Sequence, residues 1–399
     1  MKSNYEPLGK HIRLVDYRNS EEVTSTVLGI SIDKEFMPSV ANVIGTDLSR
    51  YKLISKGLFA CNPMHVGRDE RLPIALYEKD NASIVSPAYF MFEIIDRDVL
   101  NEEYLMMWFR RPEFDRECWF MTDGSVRGGI TWDDLCRIQL PVPPYERQLD
   151  VVESYRAITR RIAMKKEIND NLAKTIKAVF KSWFLDFDAF DGVELVQSQY
   201  GLIPNGWHYE LLGNLCDCVT KGTTPTTLGK DFTDTGINFI KGESINDDHS
   251  FNKTLFAHID DETDELLKRS RIYVNDIVFT IAGTLGKFAL VDSSVIPANT
   301  NQAVAIIRTS KIMPAMLYSY FIGEWQVEFY KRNTQQAVQA NLSLGTIKDL
   351  PILLPDSKGQ DHYMQLVTPL IVGMQNNFSE IERLYELQNQ LLARLSSSR

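Results

Sequence analysis

The sequence predicts an α+β protein: two repeated mixed α/β domains separated by two long helices that pair antiparallel as a coiled coil. Three observations lead there. The chain repeats itself at about half its length. Each copy ends in a long run whose apolar residues are spaced alternately by four and three. Within each copy, short β-like runs mix with helices in no βαβ order.

The repeat is carried by a series of matches in the same order. SVRGGITWDDLCRIQLPVP near position 125 returns 212 residues later as AVQANLSLGTIKDLPILLP, pairing Val126/Val338, Ile130/Leu342, Thr131/Ser343, Leu135/Ile347, Ile138/Leu350, Leu140/Ile352 and Pro143/Pro355. PIALY and the alternating run Ser86 to Phe92 parallel KFALV and the run Thr300 to Ile306 at an offset near 214. YEPLG at Tyr5 opens the first copy and YELLG at Tyr209 the second, at an offset of 204. The drift places about nine extra residues in the second copy, within Asp231–Asp261.

The first long run has Val151, Tyr155, Ile158, Ile162, Lys165, Asn169, Leu172, Ile176, Val179 and Trp183 on one seam. The second has Leu370, Met374, Asn377, Ile381, Leu384, Gln388, Leu391 and Leu395. A period of 3.5 held this long predicts a coiled coil, and a helix over 146–184 would be about 58 Å long. Two stripes of equal length favour the helices packing on each other. Antiparallel crossing lets duplicated units approach two-fold symmetry. Lys165, Asn169, Asn377 and Gln388 interrupt the seam with polar groups, which cost stability and restrict register.

Domain boundaries follow: 1–144, a central helical segment 145–192, 193–356, and a C-terminal helical segment 357–399. Strands are expected at Thr24–Ile30, Tyr89–Ile94, Ile138–Pro141, Ile272–Phe279, Phe288–Val291 and Gln302–Arg308, and helices at Glu102–Arg110 and Pro314–Lys331. VFKSWFLDFDAF closes the first long helix, and Pro204 with Asn205-Gly206 turns the chain into the second domain.

The net charge is −10. Basic and acidic residues number 17 and 22 in 1–144, 9 and 8 in 145–192, 13 and 19 in 193–356, and 4 and 4 in 357–399. No domain is globally basic. That speaks against tight autonomous binding to DNA, because phosphate neutralisation supplies most non-specific affinity. Five cysteines at scattered spacings read as reduced and intracellular.

Catalytic signatures fail on inspection. Val142-Pro-Pro-Tyr145 resembles the loop with which amino-methyltransferases clamp a base, but valine cannot accept the amine's hydrogen bond, and no glycine-rich cofactor turn precedes it. Gly283-Thr-Leu-Gly286-Lys287 lacks the spacing of a phosphate loop. The acidic cluster Asp260, Asp261, Glu262, Asp264, Glu265 reads as a solvated loop and helix start.

Read together, these features resemble the specificity subunit of type I restriction-modification systems over essentially the whole chain. The phrases that carry the resemblance are IPNGW leading into YELLG, KGTTP at Lys221, INFIKGESI at Ile237, DIVFTIAGTLGKFALV at Asp276, ANTNQAVAII at Ala298 and LPVPPYERQ before the first long helix. The resemblance implies that each repeat is a target recognition domain reading half of a split DNA sequence, with the helices as spacer. It implies a non-catalytic subunit for host defence in a bacterial or archaeal cytoplasm. A modification subunit, in two copies, would bring S-adenosylmethionine and methylate adenine. A restriction subunit with ATP and Mg would join them, and this chain itself would hold no cofactor or metal. The first copy has no equivalent of IPNGW or KGTTP.

DNA-facing candidates are loop residues: Arg68, Arg71 and Arg127 in the first domain; Lys221, Thr223, Lys241, Lys287, Asn301, Gln336 and Gln339 in the second. Arginine can fork onto guanine, lysine meets phosphate, and Asn or Gln suits adenine edges. Each basic residue has the alternative of a solvated charge, and Asn301 that of a turn residue. Two competing functions remain: a self-contained methyltransferase, which the absent motifs oppose, and a coiled-coil scaffold without DNA reading, which the acidic charge favours.

Overall fold

The computed structural model describes residues 5–64 except 41–44, 66–122, 128–190, 192–327 and 342–395. The chain forms two compact units, Met1–Ile162 with Arg383–Arg399 and Ala163–Glu382. The units divide within the two long helices, so each contains a stretch of both.

Among its described residues the first unit holds ten strands: β1 (Tyr5–Pro7), β2 (Ile12–Leu14), β3 (Val27–Ile30), β4 (Phe36–Pro38), β5 (Lys52–Ile54), β6 (Phe59–Cys61), β7 (Ile74–Leu76), β8 (Ser83–Val85), β9 (Phe90–Ile94) and β10 (Gln139–Pro141). They form an antiparallel sheet β2-β9-β6-β7, a mixed sheet β4-β3-β8-β5 with β3 parallel to β8, and the pair β1-β10. The second unit begins with a hairpin of β11 (Leu195–Ser198) and β12 (Gly201–Pro204). Then follow β13 (His208–Leu211), β14 (Cys216–Lys221), β15 (Ile237–Ile240), β16 (Ala257–Ile259), β17 (Ile277–Thr280), β18 (Phe288–Leu290), β19 (Ala298–Thr300), β20 (Val304–Thr309) and β21 (Pro351–Leu354). Their sheets are β14-β20-β17-β18, β16-β15-β19 with β15 parallel to β19, and β13-β21. Apart from the β11–β12 hairpin, the strand orders of the two units correspond, with β5 reduced to a single bridge from Ile272 to Ala298. The class is α+β with mixed sheets.

The repeated phrases occupy equivalent places for local physical reasons. Leu8 and Leu212 are fully buried, and their amides donate to the carbonyls of Ile138 (2.8 Å) and Leu350 (2.9 Å). Thr131 and Ser343 are the N-caps of helices Trp132–Arg137 and Leu344–Lys348, accepting from the amides of Asp134 (3.1 Å) and Thr346 (3.0 Å). Behind them, Leu135, Ile138 and Leu140, like Ile347, Leu350 and Ile352, are core. Val126 and Val338 lie outside the described residues. The tip Ser31–Glu35 between β3 and β4 has its counterpart in Asn246–Ser250, where Ile245 bridges Phe251 as Ile30 pairs with Phe36. The second copy's extra length therefore falls on either side of this turn, within residues 241–256.

Several expected elements are shorter, two of them for a visible local reason. The strand over Ile272–Phe279 forms only from Ile277, because Asn275 takes a left-handed φ of 72° in a turn closed by Asp276 N–H on the Tyr273 carbonyl (3.1 Å). The helix from Pro314 ends at Ile322: Gly323 abuts Phe180, and Glu324 is left-handed.

The central helix spans Tyr145–Phe184 and the C-terminal helix Ser357–Arg394. In the first unit Gln388 donates to Thr159 Oγ1 (2.9 Å), and Val152 shares a core with Leu392 and Leu395. In the second unit Lys165 reaches Glu380 (2.8 Å) and Asn377 (2.9 Å), while Asn169 reaches Asn377 and the Met374 carbonyl (3.3 Å). Numbers rise on one helix as they fall on the other, so the contacting stretches run antiparallel. Ile162, Asn169, Ile176, Asn377 and Ile381 of the seam are buried, and Ile158, Leu172, Leu370, Leu384 and Leu391 half-buried. The aromatic end of the central helix enters the second core, where Phe184 and Trp183 pack on Trp207, 5.5 and 6.5 Å between ring centroids. Among the described residues no helix is long and apolar enough to cross a membrane.

Candidate nucleic-acid interface

In the second unit five sequence candidates meet at one end of the sheets. The register forces this. Lys221 ends β14 opposite Ala305; Thr280 ends β17 opposite Val304; Ile240 ends β15 beside Thr300. The segments leaving these ends carry Lys221 and Thr223, Lys241, Lys287, and Asn301.

The KGTTP and ANTNQ segments cross in direct contact. The Gly222 amide donates to the Asn301 carbonyl (3.0 Å), and Thr224 Oγ1 to Gln302 Oε1 (2.6 Å). A Cβ on Gly222 would lie 1.6 Å from the Thr300 carbonyl oxygen, so only glycine permits the crossing. Thr300 Oγ1 in turn donates to the Ile240 carbonyl (2.7 Å), tying in the segment that holds Lys241. The Gly283–Lys287 loop is closed by the buried Thr280, whose Oγ1 accepts from the Lys287 amide (2.9 Å). Gly283 and Gly286 adopt left-handed φ of 76° and 83° with open space around them.

The candidate side chains differ in what they offer. Lys221 is exposed and Thr223 half-buried. The Lys241 ammonium lies 4.8 Å from the Phe232 ring centre and 3.9 Å from Glu243. Lys287 is paired with Asp247 at 3.0 Å. Asn301 takes the turn role: its Oδ1 accepts from the Ala303 amide (3.0 Å). Gln336 and Gln339 lie outside the described residues. Sequence reasoning missed Gln302 and Thr224, although both stand in phrases it singled out.

The acidic cluster needs correction. Asp260 does cap helix Asp261–Leu266, accepting from Thr263 N–H at 2.7 Å. Asp264 is buried rather than solvated, held by Arg271 (2.7 Å) and the Asn299 amide (3.0 Å), with Asn299 itself fully buried on β19. Beside it Arg308 forks onto Asp276 at 2.8 and 2.7 Å. A buried charge persists only when paired in this way. Among the described residues no three His, Cys, Asp or Glu side chains are grouped to hold a metal.

In the first unit Arg71 lies on residues 62–73, the β6–β7 connection, which is the counterpart of the β17–β18 loop bearing Lys287. Arg71 is paired with Asp33 at 3.3 Å. Arg68 falls in the short helix Val66–Asp69, with its side chain outside the described part, and Arg127 lies outside the described residues. The neighbouring Gly128 carbonyl accepts from the Gly67 amide (3.0 Å), and a Cβ on Gly129 would lie 3.0 Å from the Pro63 carbonyl oxygen.

Comparison with known proteins gives a consistent result. Residues 204–382 match the family model described as type I restriction modification DNA specificity domain. The chain is similar to the MjaIX specificity subunit of Methanocaldococcus jannaschii, 23% identical over 308 residues covering 76% of this chain and 70% of that one. It is similar also to the HindI specificity subunit of Haemophilus influenzae, 22% identical over 381 residues covering 79% and 78%. Its fold is like that of the type I restriction-modification S subunit from M. genitalium, with a TM-score of 0.52 at 13% identity, covering 98% and 95%.

Proposed function

We propose that this chain is a specificity subunit of a type I restriction-modification system, reading a bipartite DNA sequence and positioning the subunits that act on it; the match of residues 204–382 and the likeness to two specificity subunits support this reading. Each unit is a target recognition domain, its loop end facing one half of the target. The paired long helices are the spacer between the halves. Methyl transfer and cleavage belong to partners: a modification subunit in two copies, carrying S-adenosylmethionine, and a restriction subunit using ATP and Mg.

One observation carries the reading. A single strand order recurs in both units, yet the loops at the equivalent end differ in nearly every residue, as expected of one framework presenting two different readers. Phosphate contacts position a protein on DNA while base edges specify sequence. The exposed Lys221 and the loop glycines suit the first role, and Gln302 suits the second. The net charge of −10 fits a subunit whose partners supply much of the backbone grip. It is also the observation that favours a scaffold without DNA reading.

Exchanging residues 205–355 for those of another specificity subunit separates the two. The reconstituted complex should methylate a site with one half changed and the other retained. If both halves persist, the scaffold reading holds and the reader assignment is wrong.

A further inference from the structure

Each unit sets a carboxylate from one turn against the cation of its candidate reading loop. In the second unit the turn is Asn246–Ser250, and Asp247 lies 3.0 Å from Lys287. In the first it is Ser31–Glu35, and Asp33 lies 3.3 Å from Arg71. The turns are equivalents: the Asn246 amide donates to the Ser250 carbonyl (2.9 Å) as Ser31 does to Glu35 (2.9 Å). The His249 amide donates to Asn246 (3.2 Å) as Lys34 does to Ser31 (3.0 Å). The acid stands second in one turn and third in the other.

Both turns are clamped by the residue at their left-handed position. His249, φ 69°, stacks on Phe288 at 4.1 Å between centroids, directly beside Lys287. Lys34, φ 65°, is buried with its ammonium 2.7 Å from Asp115 and 5.0 Å from the Phe114 ring centre. Two unrelated anchors thus hold the same turn in the same place. The carboxylates stay open to solvent, with side chains 76% (Asp33) and 89% (Asp247) exposed. Stability does not account for the Arg71–Asp33 pair, exposed on both sides, since such pairs contribute little.

We propose that Asp33 and Asp247 are charge gates that determine specificity. In the free protein each neutralises the cation its reading loop offers, and a DNA phosphate gains that cation only by displacing the carboxylate. Non-target duplex, which supplies backbone charge alone, is held off. Target DNA opens the gate through its additional base contacts. The inference rests on the reading that these loop ends face DNA.

The test uses the full complex with its modification subunit, comparing Asp33→Asn, Asp247→Asn and the double variant with Arg71→Ala and Lys287→Ala. Asparagine is close to isosteric, so the turns are retained. Opening each gate should tighten binding to non-target duplex and steepen the slope of log K against log salt by about 0.9 per cation freed. The target-to-non-target ratio should fall. If Lys287→Ala and Arg71→Ala weaken target binding while the Asp variants change neither slope nor ratio, the gate is overturned and the reader assignment stands. If Lys287→Ala and Arg71→Ala leave target binding unchanged, the loop ends do not face DNA, and both fall.

Discussion

Asn377 donates its side-chain amide to Asn169 Oδ1 at 2.7 Å across the paired helices, linking two buried residues 208 positions apart in sequence. Lys165 completes the group, donating to Asn377 Oδ1 at 2.9 Å and pairing with Glu380 at 2.8 Å. Such a group trades stability for register, because sliding either helix strands its polar atoms in an apolar seam. Asn169→Leu alone should lower the stability of the second unit by about 1–3 kcal/mol, leaving the Asn377 amide without its acceptor. The double variant Asn169→Leu, Asn377→Leu should recover that loss or exceed the native stability. A denaturant-based double-mutant cycle measures this. Additive losses would show the two residues to be uncoupled.

The buried Lys34–Asp115 pair anchors the first unit's turn. Asp115 Oδ1 also accepts from the Leu72 amide at 3.0 Å, and the Lys34 ammonium also donates to the Phe109 carbonyl. Burial pushes the Lys34 pKa down and Asp115 pushes it back. Asp115→Ala strands a buried cation and should cost about 3–5 kcal/mol. Lys34→Met combined with Asp115→Leu should lose less than Asp115→Ala alone, as followed by chemical denaturation.

The equivalent anchor in the second unit should respond to pH. Burial holds the His249 imidazole below its ordinary 6.5, against the opposing pull of Asp248, the Phe288 backbone and Asp247. Between the folded value and 6.5 the unfolded state binds the extra proton, so stability falls as pH drops through that window. Unfolding midpoints at pH 7.5 and 5.5 should therefore differ more in the native protein than in His249→Phe. Equal differences would remove His249 as the titrating group.

Gly222 and Gly283 separate close approach from backbone freedom. At Gly222 a methyl group would meet the Thr300 carbonyl at 1.6 Å, with backbone rather than a mobile side chain in the way. Gly222→Ala should cost roughly 1–3 kcal/mol as overpacking and, on the proposed reading, disrupt recognition of the half-site assigned to the second unit while the other half-site is retained. At Gly283 space is open and only the φ of 76° is at issue, so alanine there should cost about 1 kcal/mol, near the left-handed penalty. Thermal melts and the methylation pattern of the reconstituted complex distinguish the two.

What could be read from the sequence was what local chemistry writes. Thr131 and Ser343 announce helix starts, Leu8 and Leu212 mark equivalent core positions, and the seam from Ile158 to Ile176 follows from its period. Asn275 broke the expected strand because a left-handed turn residue outweighs its β-prone neighbours. Asp264 looked solvated because one of the two partners that hold it in the interior, Asn299, is 35 residues away. Arg71 and Lys287 could be chosen as loop cations. That each meets an acid about forty positions earlier depends on where β3 and β15 place their turns, which no periodicity encodes. Arg127, Gln336 and Gln339 lie outside the described residues.

The separation of half-site identity from half-site spacing gives the most demanding prediction. On the proposed reading of the paired helices as spacer, lengthening them should alter the gap without altering the bases read. One heptad adds about 10 Å at 1.5 Å per residue, equivalent to roughly three base pairs at 3.4 Å each. Seven residues also return the seam to phase, whereas an insertion of another length would rotate Ile176 out of the core. The antiparallel contacts fix where the matching insertion belongs. Asn169 faces Asn377 and Met374, and a Cβ on Gly373 would lie 3.5 Å from Leu172. A heptad placed after Asn169 must therefore be matched by one between Gly373 and Met374, which keeps Asn169 on Met374 and Asn377 and Leu172 on Gly373. Placed after Asn377 it would leave the two helices out of step and pull Lys165 from Glu380. Genome-wide methylation by the reconstituted complex should then show the same two half-sites at a gap about three base pairs wider. Changed bases at an unchanged gap would mean that the helices help to read DNA and do not set its spacing.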